Sequence, residues 1–183
     1  MTVQSINPWS GAVQYRYDYQ GDDVVEATLA RATEAYPAWA ALPLERRGEF
    51  VRAAGAALRA RRDDIASTMT AEMGKLRREA LAEVDKCAAA CDYYADHAAD
   101  YLRDEPIATE AVRSYVTYEP IGCVFAVMPW NFPIWQVFRF LAPALMAGNV
   151  AVLKHATNVP RCADAIAARA NTLVSATALR PMM

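Results

Sequence analysis

Asn131 and Lys154 each follow a short apolar run, Val124 to Met128 in the first case and Val150 to Leu153 in the second. A carboxamide N–H and an ammonium are donors suited to a ligand that carries negative charge. Whether they act together depends on whether the chain brings the two runs side by side. The run from Val124 is fully apolar and contains β-branched residues, which predicts a strand covered on both faces. Pro129 ends it, and Pro133 stands where the first turn of a helix tolerates a missing N–H. That helix is expected to continue through Ala147 to Gly148 and Asn149, the residues that most readily take a left-handed cap. Val150 to Leu153 is then a second strand. Two apolar strands joined by a helical crossover make a right-handed parallel βαβ unit, and ligands bind such sheets at the carboxyl ends of the strands. Asn131 and Lys154 should therefore face one crevice.

The other residues that could do chemistry read as structural. Cys87 and Cys91 are one helical turn apart, but no third or fourth Cys or His is in sequence reach of a metal. Both lie in the middle of an apolar stripe (Leu76, Ala80, Val84, Cys87, Cys91, Tyr94, Ala98, Tyr101) that predicts the longest helix of the chain and places the thiols in its core. The basic cluster of Arg59, Arg61 and Arg62 reads as a solvated helix end, where cations suit the dipole.

Upstream of these, residues 5 to 21 read as a turn and an edge strand or two, with Asn7-Pro8 and Ser10-Gly11 as turn signals. Asp22 or Asp23 is expected to cap a helix carrying Val25, Leu29, Ala32, Tyr36 and Trp39, which Pro37 could kink. Pro43 opens a second helix through Arg62, and Asp63 or Asp64 a third that ends at Gly74. Residues 110 to 121 change texture to an alternating, β-rich stretch, expected to be extended. Pro160 opens a last helix with Cys162, Ile166 and Arg169 on one side. The end, N-T-L-V-S-A-T-A-L-R-P-M-M, has no turn glycine and no sustained period.

The chain has 183 residues and a formal charge of −2, with 55% apolar and 22% charged residues. That is ordinary for a soluble globular protein. No basic excess points to nucleic acid, and no apolar run reaches the roughly eighteen residues of a membrane span. The N-terminus lacks a signal-peptide pattern, and the four cysteines show no disulfide-scaffold spacing, so a reducing, cytoplasmic setting is expected. No G-x-G-x-x-G or Walker loop offers another nucleotide site.

At its centre the chain resembles the NAD(P)-dependent aldehyde dehydrogenase superfamily. The resemblance rests on P-W-N-F-P (Pro129 to Pro133), A-P-A-L-x-A-G-N (Ala142 to Asn149) and V-L-K-H-A (Val152 to Ala156). The K-H-A-T-N-V-P wording at 154 to 160 is most similar to the succinate-semialdehyde dehydrogenase branch. E-M-G-K at 72 to 75 and I-N-P-W-S-G at 6 to 11 are further landmarks, so the likeness covers about residues 5 to 168. It implies an α/β fold: the N-terminal part of an aldehyde dehydrogenase, with a helical segment followed by the first βαβ unit of a Rossmann-like parallel sheet, truncated relative to the family body. The expected organisation is a helical part of the cofactor-binding domain at 1–109, an oligomerisation-type β arm at 110–121, the start of the dinucleotide-binding sheet at 122–168 and an atypical tail at 169–183. A strand of the chain's own sheet is the other reading of 110–121.

The family's reaction needs a thiolate, donors for the resulting oxyanion, a nicotinamide cofactor and a base to activate water. The resemblance makes Asn131 the oxyanion donor, a role that contributes about 3 kcal/mol to the transition state. Outside the motif, an Asn between Trp and Phe would be a turn residue satisfying its own backbone. Cofactor binding is implied for Trp130, Asn131, Lys154, His155, Ala156 and Thr157. Lys154 would hold the adenosine ribose or its 2′-phosphate. Thr157 stands where a Glu commonly grips the ribose hydroxyls, so charge favours NADP over NAD. Thr157 could instead cap the helix opening at Pro160, or do both. His155 is expected to be a loop residue with no acid–base role.

The family's nucleophilic Cys motif, its general-base motif and its phosphate loop are absent from these residues, so the chain is expected to be inactive by itself. The implied substrate is a small aldehyde, and full-length members form homo-oligomers. Two rival readings are a non-catalytic fragment that joins full-length subunits through the arm, and an unfolded product in which the strand at 150–153 faces solvent without a neighbour.

Overall fold

The computed structural model describes residues 2–173 and 181–182. Strands β1 (Thr2–Ile6) and β2 (Val13–Asp18) form an antiparallel hairpin of their own. Its loop is closed by Asn7, whose carboxamide oxygen accepts the N–H groups of Trp9 and Ser10 at 2.9 and 3.1 Å, as the turn residues foretold.

Four helices follow. Helix α1 (Asp22–Ala40) is preceded by Gly21 in extended conformation, and no side chain bonds its first turn. The expected Asp cap is therefore corrected: Asp22 and Asp23 lie inside the first turn, where their charge complements the helix dipole. Pro37 lies inside the helix, near its end. Helix α2 (Leu44–Ala60) follows Pro43, α3 (Arg62–Met73) ends on Gly74 at φ +72°, and α4 (Arg77–Tyr101) is the longest element.

Helices α2 and α4 approach closely at Gly55, where an added Cβ would lie 3.1 Å from the Ala88 carbonyl oxygen and from Cys91 Cβ. Cys87 and Cys91 are buried in the core, as the stripe predicted. Its two ends are not: Leu76 precedes the helix and Tyr101 closes it, and both are exposed. The arginine cluster does more than solvate a helix end. Arg59 pairs with Asp92 and Arg62 with Asp85 (2.6 Å), which straps the α2–α3 junction to α4.

Residues 110–121 depart from expectation. Only Tyr115–Val116 (β4) is strand, paired with Glu105–Pro106 (β3). Val112, Tyr118 and Ile121 are exposed, so these side chains find no apolar surface among the described residues that would hold a longer extended run. It does not join the main sheet.

Strand β5 (Cys123–Val127), helix α5 (Trp135–Met146) and strand β6 (Val150–Lys154) make the expected parallel βαβ unit, in register from Cys123 opposite Val150 to Val127 opposite Lys154. The turn between α5 and β6 uses Gly148 at φ +90°. Asn149 instead turns its carboxamide oxygen to the N–H groups of Ile121 and Gly122 and so fixes the entry to β5.

Two expectations about the sheet are reversed. β6 is no exposed edge: it lies between β5 and β7 (Pro181–Met182), parallel to both, with Val150 to Leu153 fully buried. The open strand is β5, whose Phe125 and Val127 are 56% and 63% exposed. Its apolar run predicted cover on both faces, and the described residues supply one. Helix α6 (Pro160–Leu173) buries Cys162 and Ile166, and it carries the chain into the stretch that had shown no pattern. Residues 174–180 and the Arg169 side chain lie outside the described residues.

Candidate active site

The loop from Met128 to Ile134 leaves the carboxyl end of β5 beside the end of β6, and the Met128 N–H donates to the Lys154 carbonyl at 3.0 Å. From there its backbone is held by side chains from elsewhere. Glu83, on α4, turns one carboxylate oxygen to the N–H groups of Ile134 and Trp135, both at 2.9 Å. These are free donors at the start of α5, and a carboxylate satisfies them while complementing the dipole. The other oxygen of Glu83 pairs with the Lys75 ammonium. Their side chains are only 1% and 7% exposed, so each charge depends on the other. Lys75 Nζ also reaches the Asn131 carbonyl at 3.4 Å and lies 3.7 Å from the centre of the Phe132 ring.

His155 grips the loop from the side of β6. Its Nδ1 accepts the Ala156 N–H at 2.8 Å, so the proton must be on Nε2, which donates to the Pro133 carbonyl at 2.7 Å. Burial lowers its pKa below the ordinary histidine value, which keeps the ring neutral. The residue is a buried brace with both ring nitrogens engaged.

The segment after β6 is braced by the hairpin. The Tyr17 hydroxyl donates to the Thr157 carbonyl at 2.7 Å, and Ser5 to that of Asn158 at 3.1 Å. Burial pushes the Tyr17 phenol up to about 12. The cap of α6 is Glu72, whose two oxygens accept the N–H groups of Arg161 and Cys162 at 2.9 Å each. Thr157 is therefore not the cap considered from the sequence, and its hydroxyl is hydrogen-bonded to no described residue. Burial raises the Glu72 pKa, against the opposing pull of these N–H bonds.

Asn131 is exposed and Trp130 half exposed, whereas Lys154, Ala156 and Thr157 are half-buried. The Lys154 ammonium is hydrogen-bonded to no other described residue. The parallel register thus brings the Asn131 loop and Lys154 to the same end of the sheet. The four thiols are uncrosslinked. Burial raises the pKa of Cys87, Cys91 and Cys162, and Cys123, on the open face of β5, is raised as well.

Sequence reasoning noted Glu72 and Lys75 only as parts of a landmark and missed Glu83. A signal existed: Glu83 sits between Ala80 and Val84 on the apolar face of α4, where a carboxylate needs a partner.

The family model described as the aldehyde dehydrogenase family matches residues 1–174. The chain belongs to that family. Among curated aldehyde dehydrogenases it is 50% identical over 167 residues to a probable succinate-semialdehyde dehydrogenase [NADP(+)] of Synechocystis sp., covering 91% of this chain and 37% of that protein. It is 44% identical over 166 residues to succinate-semialdehyde dehydrogenase [NADP(+)] 1 of Mycobacterium tuberculosis, covering 89% and 36%. Among solved aldehyde dehydrogenase structures, succinic semialdehyde dehydrogenase from Streptococcus pyogenes, in complex with NADP+ as the cofactor, aligns with a TM-score of 0.90 at 36% identity, over 96% of this chain and 39% of that one. The chain thus spans little more than a third of these relatives.

Proposed function

We propose that the whole protein to which this aldehyde dehydrogenase segment belongs oxidises a small aldehyde of the succinate-semialdehyde type to its carboxylic acid with NADP+. The segment supplies the grip on the adenosine side and one oxyanion donor. The observation that carries the reading is the register of β5 and β6, which sets Lys154 and the Asn131 loop at one edge of the sheet.

The residues fit NADP. Lys154 offers an ammonium bonded to no other described group, and position 157 carries no carboxylate to repel a 2′-phosphate. Bound there, the dinucleotide supplies the hydride acceptor. His155 and Ala156 shape the adenosine side, Trp130 lines the nicotinamide side, and Asn131 donates to the oxygen that gains charge. The starts of α5 and α6 are already filled by Glu83 and Glu72, so the cofactor's bridging phosphates require donors other than these helix ends.

Residues 1–183 alone are proposed to be inactive. A nucleophilic cysteine needs a depressed pKa and access, and each of the four here has a raised one. The proposed organisation keeps 1–109 as the helical part, 110–121 as the arm, 122–168 as the sheet and 169–183 as the tail. The uncrosslinked thiols support a cytoplasmic setting. A second reading, a fragment that associates with full-length subunits, is favoured by the exposed arm, where Val112 is fully open and Ile121 85% exposed.

The test has two arms. The chain given succinic semialdehyde and NADP+ should form no NADPH, and turnover that a Cys→Ser variant abolishes would contradict this. In a family-length enzyme carrying residues 1–168 of this chain, Asn131→Ala should lower kcat by about 10²–10³. An unchanged kcat would remove the oxyanion role.

A further inference from the structure

The geometry points to Glu83 and Lys75 as the positioning residues of the oxyanion donor: a buried ion pair, contributed by α4 and the segment before it, sets the backbone from which the Asn131 carboxamide projects. The inference rests on the reading of Asn131 as that donor.

The loop cannot hold this shape by itself. Its polar backbone atoms at four places are satisfied from outside: the Asn131 carbonyl by Lys75, the Pro133 carbonyl by His155, and the Ile134 and Trp135 N–H groups by Glu83. The Asn131 side chain is exposed and hydrogen-bonded to no described residue, so among the described residues only its backbone limits where the carboxamide can reach. Two different constraints act on that backbone. Glu83 fixes where α5 begins, and Lys75 fixes the plane of the peptide after Asn131. The cation over the Phe132 ring holds the next residue on the same side. A donor aimed at a developing charge is useful only if its orientation is fixed before the reaction.

Glu72 provides an internal control. It is a buried carboxylate on α3 with the same task, two N–H bonds at a helix start, but at the start of α6, and its hydrogen bonds go to Ser5, Arg161 and Cys162 rather than to the Asn131 loop. A generic loss of a buried cap and a specific loss of loop positioning can therefore be told apart.

The experiment measures backbone amide order parameters in the ¹⁵N-labelled 183-residue chain and in Glu83→Gln, Lys75→Leu, Lys75→Arg and Glu72→Gln. In the native chain Asn131 and Phe132 are expected near the rigid value of about 0.85, falling below about 0.6 in Glu83→Gln. Lys75→Leu removes the ion-pair partner of Glu83, so Tm should fall, but it deletes neither of the two N–H bonds from α5 to Glu83. It should free Asn131 and Phe132 while the Ile134 and Trp135 amides stay protected from exchange, and Lys75→Arg should restore the native values. Glu72→Gln should lower Tm but leave the loop rigid. The inference is overturned if Asn131 stays rigid in both Glu83→Gln and Lys75→Leu, or if Glu72→Gln loosens the loop as much. Because the readout is loop order and not rate, it fails separately from the oxyanion role, which the kcat of Asn131→Ala decides.

Discussion

His155 shows how a single buried ring can be assigned one protonation state from its neighbours. With Nδ1 accepting from Ala156 and Nε2–H donating to Pro133, a second proton would break the first bond inside the core. Burial lowers the folded-state pKa below the ordinary 6.5. The stabilising contribution of the neutral ring is therefore complete above about pH 6.5 and is lost as the pH falls below it. Tm measured from pH 8 to 5 should fall, and His155→Gln should flatten the part of that fall nearest pH 6.5. Glu72 has the opposite sign: its raised pKa makes the protonated form stabilising below its ordinary 4.5, a contribution lost as the pH rises through the folded value. The two residues therefore oppose each other on the acid side, and the His155 variant isolates one of them. Asn131 and Lys154 were legible in the sequence because each follows a recognisable apolar strand. The roles of Glu83, Lys75 and Glu72 were not: the apolar face around Glu83 signals that it needs a partner, but the backbone groups the three bond lie 51, 56 and 90 residues away and no local pattern names them.

The helices were legible at the scale of elements because burial repeats with the helical period. Trp39, Val51, Met69 and Val84 reach the core from four separate helices, and Cys91 joins Val84 from α4. What the period did not report is how close two axes come. Gly55 sets that distance for α2 and α4, and Gly55→Val would press a branched side chain on the Ala88 carbonyl and Cys91. A loss of about 1–3 kcal/mol in chemical denaturation is expected, the cost of overpacking. The same interface makes the protein sensitive to alkali. Cys91 is pushed up to about 12, and Cys87 and Cys162 are also raised. Groups with raised folded-state pKa values contribute stability that is complete below their ordinary value near 9 and lost as the pH rises past it. Tm should decline between pH 8.5 and about 11, and Cys91→Ala should make that decline shallower than in the native chain. The β elements were read less well. The alternation at 110–121 is real, but alternation predicts a strand only where a surface exists to bury one face. The strand at 150–153, expected to lie open, is the covered centre of the sheet, while β5 carries the open face.

The distribution of exposed apolar residues matters most at the scale of the molecule. Phe125 and Val127 on β5 and Val112 and Ile121 in the stretch 110–121 lie open, in a chain that spans little more than a third of its relatives. Among the described residues no helix is long and apolar enough to cross a membrane. On the proposed function, the helices, the βαβ unit and the braced segment after β6 build the half of a cofactor site that would read charge on the adenosine ribose. That claim can be tested on the chain itself with 2′,5′-ADP and 5′-AMP, which differ by the one phosphate in question. Titration followed by amide shifts should show 2′,5′-ADP binding at least about tenfold more tightly, with the largest shifts at Lys154 and Thr157. Lys154→Ala should abolish the difference and Thr157→Glu should reverse it. Equal binding of the two nucleotides by the native chain, or a preference for 5′-AMP, would contradict the account.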